Sequence, residues 1–116
     1  GLALQFKTKY PKNYKHYHAY CKSVKSFNEY DQCFLSEKDK IIYNLPTKEN
    51  YNQFSSLGKV RRSLLKFVDY LNATDVESIA IPPIGAGLGG LDVMNVLHLI
   101  LYYLRRVERP IKIISF

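Results

Sequence analysis

Leu57, Val60, Leu64, Phe67, Val68 and Leu71 recur at helical spacing with lysine, arginine and serine between them. That pattern predicts an amphipathic helix over 57–73. An earlier stripe of Tyr10, Tyr14, Tyr17, Cys21 and Val24 advances by four, three, four and three residues. It predicts one face of another helix, read as a core face in preference to a stacking platform for bases. Pro11 suits the first turn of that helix. Residues 2–9 read as a short helix ended by Tyr10-Pro11. "IIYNLP", after Asp39-Lys40, reads as a strand, and the polar "TKENYNQFSS" as a loop. Asn72 to Glu77 reads as a turn. "SIAIPP" is continuously apolar, which predicts a strand buried on both faces. Asp92 is placed to cap a helix running to about Arg106. Pro110 stops any continuation, and "IKIISF" is a last strand. Helix and strand alternate, so the pattern predicts an α/β layered fold with a largely parallel sheet. The 116 residues make one domain that needs no disulfide or metal to bury a core.

One stretch departs from this economy. "IPPIGAGLGGLD", Ile81 to Asp92, holds four of the six glycines within six consecutive residues. Each glycine in a regular element costs roughly 0.5–1 kcal/mol relative to alanine, so the cluster points to main chain that approaches something closely. The loop lies between a strand and a helix, at the sheet edge where α/β folds bind ligands. Inward-pointing backbone N–H groups and a helix N-terminus suit a phosphate or diphosphate. A literal G-x-G-x-x-G falls at Gly85, Gly87 and Gly90 and offers a Rossmann reading, which is weak. That plan wants an acid at the end of the next strand, where "IKIISF" has none. Pro82-Pro83 also spoils a tight strand-to-turn entry. A purely structural glycine turn is the remaining alternative.

Charge narrows the partners. Lys and Arg number 17 against 10 Asp and Glu, a formal net charge of +7. Lysines crowd the first 25 residues, followed by Arg61, Arg62 and Lys66, and then by Arg105, Arg106 and Arg109. This balance favours an anionic partner, a nucleotide or a nucleic acid; solvated surface lysines are the plainer reading. Cys21 and Cys33 fit neither a zinc motif nor a disulfide framework and read as reduced thiols in a cytoplasmic protein. No apolar run approaches the roughly 18 residues of a membrane span, so no membrane partner is expected. His16 and His18 would point to different helix faces, so no metal is expected there, and His98 reads as a core or boundary residue. No cofactor is implied. Oligomeric state is not legible.

Three segments resemble macro domains, the modules that bind ADP-ribose. "SIAIPPIGAGLGGLD" resembles their second ligand loop, "GLALQFKTKYP" the end of the first loop and the helix after it, and "IIYNLPTKENY" completes the match. In particular they resemble the branch that holds the DarG-type antitoxins and the terminal ADP-ribose glycohydrolases of animals. The resemblance implies a three-layer α/β/α fold with a mixed, largely parallel sheet. It implies ADP-ribose as ligand, held by Gly1 and Leu2 from the first loop and by Ile84, Gly85, Ala86, Gly87, Leu88 and Gly89 from the second. Lys48 falls where this branch carries its functional lysine, and in the animal enzymes that residue forms an adduct with the opened sugar. A desolvated lysine of lowered pKa suits such chemistry.

By resemblance, the activity expected is hydrolysis of ADP-ribosyl linkages, with DNA bases the preferred target and DNA a further partner. The alternative is a non-catalytic reader of ADP-ribose or a related nucleotide. A third reading, a fragment that binds nothing, follows from the departures. The animal enzymes pair their lysine with an aspartate at the position of Gly89, and glycine there fits the DarG-type pattern. Asp92 reads as a helix cap rather than a catalytic acid, and Val93 replaces a frequent tryptophan. The family's first strands, with part of the first ligand loop, would lie before Gly1. The expectation is therefore that the chain is the ordered part of a longer protein.

Overall fold

The computed structural model describes residues 2–48, 55–86 and 89–114. The chain divides into two units, one up to Asn44 and the other from Leu45 onward.

In the first unit, helices α1 (Leu2–Lys9) and α2 (Pro11–Ser23) meet at Tyr10. Tyr10 is buried; its N–H donates to Phe6 O, and its own carbonyl accepts from the Tyr14 N–H. Tyr10 gives α2 no side-chain cap. The cap comes from another element. The Glu37 carboxylate accepts from the N–H groups of Lys12 at 3.3 Å and Asn13 at 2.8 Å. It thereby satisfies donors that a first helical turn leaves open, and it sets negative charge at the positive end of the helix. Asn13 and Asn44 exchange amide hydrogen bonds, both 3.0 Å. A short 3-10 turn, Phe27–Glu29, buries Phe27, and Tyr30 follows it into the core.

Glu37 ends strand β1 (Phe34–Glu37), which pairs antiparallel with β2 (Lys40–Tyr43), Phe34 opposite Tyr43. β1 has no counterpart in the sequence reading, which places a single strand here. The turn between them is made by Lys38 and Asp39, at φ 52 and 62. Both lie in the left-handed region that a two-residue hairpin requires, yet neither is glycine. The tyrosine stripe also needs correction. Tyr14 is exposed, stacked on His18 and lying under the Lys7 ammonium at 4.6 Å from the ring centroid. Tyr17, Cys21 and Val24 are only half-buried. The stripe faces the core fully at Tyr10 alone.

In the second unit, α3 (Leu57–Asn72) starts at Ser56, whose hydroxyl accepts from the Lys59 N–H at 3.1 Å. It buries Val60, Leu64, Phe67 and Leu71 of the expected face, whereas Val68 is half-buried and Leu57, at the helix start, is exposed. Arg109 closes its far end by donating to the carbonyls of Leu71 and Thr74, a cation where the helix dipole is negative. β3 (Ile79–Ile81) pairs in parallel with β4 (Ile111–Ile113), Ile79 beside Ile111. Ile79 and Ile81 are buried whereas Ala80 is exposed, so β3 is buried on one face, not two. Its side chains alternate, and Ala is the one turned outward. The chain reaches β4 through α4 (Val93–Tyr103), whose Val96 and Ile100 are fully buried. The Asp92 carboxylate accepts from the Asn95 N–H at 3.1 Å and caps that helix, as expected. α4 ends at Tyr103 rather than near Arg106, in a turn over residues 104–106. His98 is exposed, not at a core boundary. Among the described residues, no helix is long and apolar enough to cross a membrane.

Candidate functional site

The glycine loop leaves β3 through Pro82-Pro83 and folds back on itself. Ile84 N–H donates to Pro82 O at 2.8 Å, Ala86 N–H to Pro83 O at 3.4 Å, and Gly89 N–H to Ala86 O at 3.3 Å. Leu91 N–H donates to Gly85 O at 3.1 Å, and Ala86 bridges to Leu91. Ile84 is buried and anchors the loop in the core, and Gly89 is buried as well. Gly85 and Gly90 adopt φ values of 81 and 83, the left-handed region open chiefly to glycine.

Side chains of the same unit explain two of the bare positions. A Cβ added at Gly85 would sit 2.8 Å from Leu91 Cδ1, 3.2 Å from Val60 Cγ2 and 3.3 Å from Ser55 Cβ. One added at Gly89 would meet Ser55 Oγ at 2.6 Å. The sequence reading ascribes the missing side chains to ligand approach. At these positions the chain's own core is already as close as atoms can come.

Ser55 is the junction. It is buried, its N–H donates to Gly89 O at 2.8 Å, and its hydroxyl pairs with Thr47 Oγ1 at 3.0 Å. Thr47 directly precedes Lys48 in the segment 45–48. Ser63 of α3 holds the same segment by donating its hydroxyl to Pro46 O. Lys48 itself is half-buried. Folding therefore joins the segment carrying the candidate lysine to the glycine loop through one serine. The sequence reading missed both Thr47 and Ser55, treating "TKENYNQFSS" as plain loop. A serine within a polar run carries no local signal of a partner as far along the chain as Gly89.

Of the expected ligand residues, Ile84, Gly85, Ala86 and Gly89 lie together in this loop. Gly87 and Leu88 fall outside the described residues, as does Gly1. Leu2 opens α1 in the first unit. That unit also holds both cysteines, which are free. Burial pushes the Cys33 thiol and the Tyr17 and Tyr30 phenols up from their ordinary values, so all three stay protonated at neutral pH. A protonated thiol is a poor nucleophile.

Comparison with known proteins extends this picture. The chain is 37% identical over 95 residues to a DNA ADP-ribosyl glycohydrolase of Thermus aquaticus, covering 78% of the chain and 26% of that relative. It thus spans a minor part of that curated relative's length. Among solved structures, the macrodomain of Thermus aquaticus DarG superposes with a TM-score of 0.86 at 30% identity, over 100% of this chain and 80% of that one. Thermosipho africanus DarTG in complex with ADP-ribose gives a TM-score of 0.84 at 25% identity, over 97% of this chain and 33% of that one. The α/β fold expected from the sequence is therefore that of these macrodomains. The family model for macro domains matches residues 1–100, and the chain belongs to the macro domain family.

Proposed function

We propose that this domain binds ADP-ribose and hydrolyses ADP-ribosyl linkages on DNA bases. The observation that carries the reading is the Thr47–Ser55–Gly89 connection, which sets the segment of Lys48 beside the glycine loop. The likeness to a structure holding ADP-ribose and to a DNA ADP-ribosyl glycohydrolase supports the ligand and the reaction. In this reading Ile84, Gly85, Ala86, Gly87, Leu88 and Gly89 enclose the diphosphate. The N–H groups of Ile84, Ala86 and Gly89 bond within the loop and hold its shape, which keeps its backbone dipoles rigid toward an anion.

Lys48 acts at the distal ribose. The bond from the anomeric carbon to the base breaks, water supplies the hydroxyl to that carbon, and its proton goes to the departing base. Atoms balance with water alone. A lysine near the anomeric carbon orients the sugar or receives it as a transient adduct before water enters. The lysines of α1 and α2 give the DNA partner its electrostatic footing. No acidic residue precedes Glu29 in the sequence, whereas Lys7, Lys9, Lys12, Lys15, Lys22 and Lys25 do. A cytoplasmic location goes with this substrate and with two reduced thiols.

The test is release of ADP-ribose from an ADP-ribosylated oligonucleotide, followed chromatographically for the wild type and Lys48→Ala. The variant should lose about a hundredfold or more in rate while its affinity for ADP-ribose changes little. An equal rate in the variant would remove Lys48 from the mechanism. A wild type that binds ADP-ribose yet releases none from any modified DNA or protein would make the domain a reader instead.

A further inference from the structure

We infer that Thr47 and Ser55 form a positioning bridge that fixes the root of Lys48 against the glycine loop. The inference rests on the roles proposed above for Lys48 and the loop. Ser55 makes three kinds of contact with the loop and its surroundings. Its N–H holds Gly89 O at 2.8 Å, its Oγ pairs with Thr47 Oγ1 at 3.0 Å, and it fills the space a side chain at Gly89 would need. Its Cβ also lies 3.3 Å from where a Cβ on Gly85 would stand. One small residue therefore bonds the main chain of Gly89 and occupies space beside the bare side of Gly85.

The other half of the bridge is equally constrained. Thr47 is half-buried, and the preceding carbonyl, Pro46 O, accepts from the buried Ser63 hydroxyl on α3. Two successive residues are thus pinned, one to a helix and one to Ser55, and the next residue is Lys48. Leaving the buried Ser55 hydroxyl without its partner carries the penalty of an unsatisfied polar group, so the two hydroxyls hold each other in one arrangement. A lysine side chain is long and has many rotamers. Fixing its backbone relative to Gly89 restricts where the ammonium can reach, and reaction rates are sensitive to displacements of that size. Neither Thr47 nor Ser55 needs to touch the sugar for this.

The bridge makes a prediction that packing alone does not. Thr47→Val keeps the shape and loses the hydroxyl, whereas Thr47→Ser keeps the hydroxyl and loses a methyl. If the hydroxyl matters, Thr47→Val should slow single-turnover release of ADP-ribose by about tenfold, the worth of one ordinary hydrogen bond. Thr47→Ser should stay close to wild type. ADP-ribose affinity, measured by calorimetry, should remain within about twofold in both. Ser55→Ala should match Thr47→Val, and the double variant should be no slower than either, because both remove the same bond.

Wild-type rates in Thr47→Val, or an equal fall in Thr47→Ser, would overturn the inference, as would losses that multiply in the double variant. Should Ser55→Ala not fold, the two Thr47 variants decide by themselves. A wild type that shows no hydrolysis, or hydrolysis indifferent to Lys48→Ala, overturns the catalytic reading instead. The bridge is then judged by hydrogen exchange at the Ser55 amide. Exchange faster in Thr47→Val but not in Thr47→Ser supports it, and equal exchange in both refutes it.

Discussion

Glycine means different things at different positions of this chain, and that difference can be measured. Gly85 has φ 81 and three side-chain atoms pressing on the site of a Cβ, the nearest 2.8 Å away. Gly58, in the first turn of α3, has nothing within 4 Å. Alanine at 85 should therefore destabilise the domain by at least about 1–2 kcal/mol, from the left-handed backbone alone. Alanine at 58 should stabilise it by about 0.5–1 kcal/mol. Thermal unfolding of the two variants checks this, and shifts of the same sign would contradict it. At this scale the glycine cluster stood out by its own spacing, whereas Lys48 was singled out only through the family resemblance. The sequence hid Ser55, whose role depends on Gly89, far along the chain. A buried serine and a solvated one are written with the same letter.

Elements were legible where their signals were local. Helix α3 declared itself by apolar spacing, and α4 by an aspartate that the structure shows capping it. β1 was not legible. Its hairpin turns on Lys38 and Asp39, which take left-handed conformations without the Asn-Gly or Asp-Gly signature that normally marks such a turn. The cap of α2 was hidden for a related reason, since its acceptor, Glu37, sits at the end of that same unrecognised strand. Glu37→Ala should strip two N–H groups of their acceptor and cost about 1–3 kcal/mol. A lowered Tm with loss of helical signal would follow. An unchanged Tm would mean that water caps α2 equally well.

For the whole molecule, the formal charge of +7 and the basic helices of the first unit predict strongly salt-dependent affinity for DNA. Binding of an ADP-ribosylated oligonucleotide, followed by fluorescence anisotropy, should weaken linearly on a log–log plot against salt. The slope should be about −0.7 to −0.9 per phosphate contacted. A flat response would assign recognition to the ADP-ribose alone. The raised Cys33, Tyr17, Tyr30 and Tyr70 groups set a second prediction, with burial the leading cause at each. The folded state holds these protons more tightly than the unfolded chain. Stability they contribute is intact below the unfolded values, 9.0 for the thiol and 10.0 for the phenols, and is lost as pH rises past them. Urea midpoints should therefore fall above about pH 9. The class of fold was readable at this scale because three separate segments resembled one family in the right order. The pairing of strands was not, since it depends on partners that no single segment contains.

The central claim is that the glycine loop and the segment of Lys48 serve one ligand. Calorimetric titration of ADP-ribose into the wild type and into Lys48→Ala tests it most directly. The account predicts micromolar, single-site binding in both proteins, because main chain supplies the grip and the lysine the chemistry. Absence of binding to the wild type would contradict it.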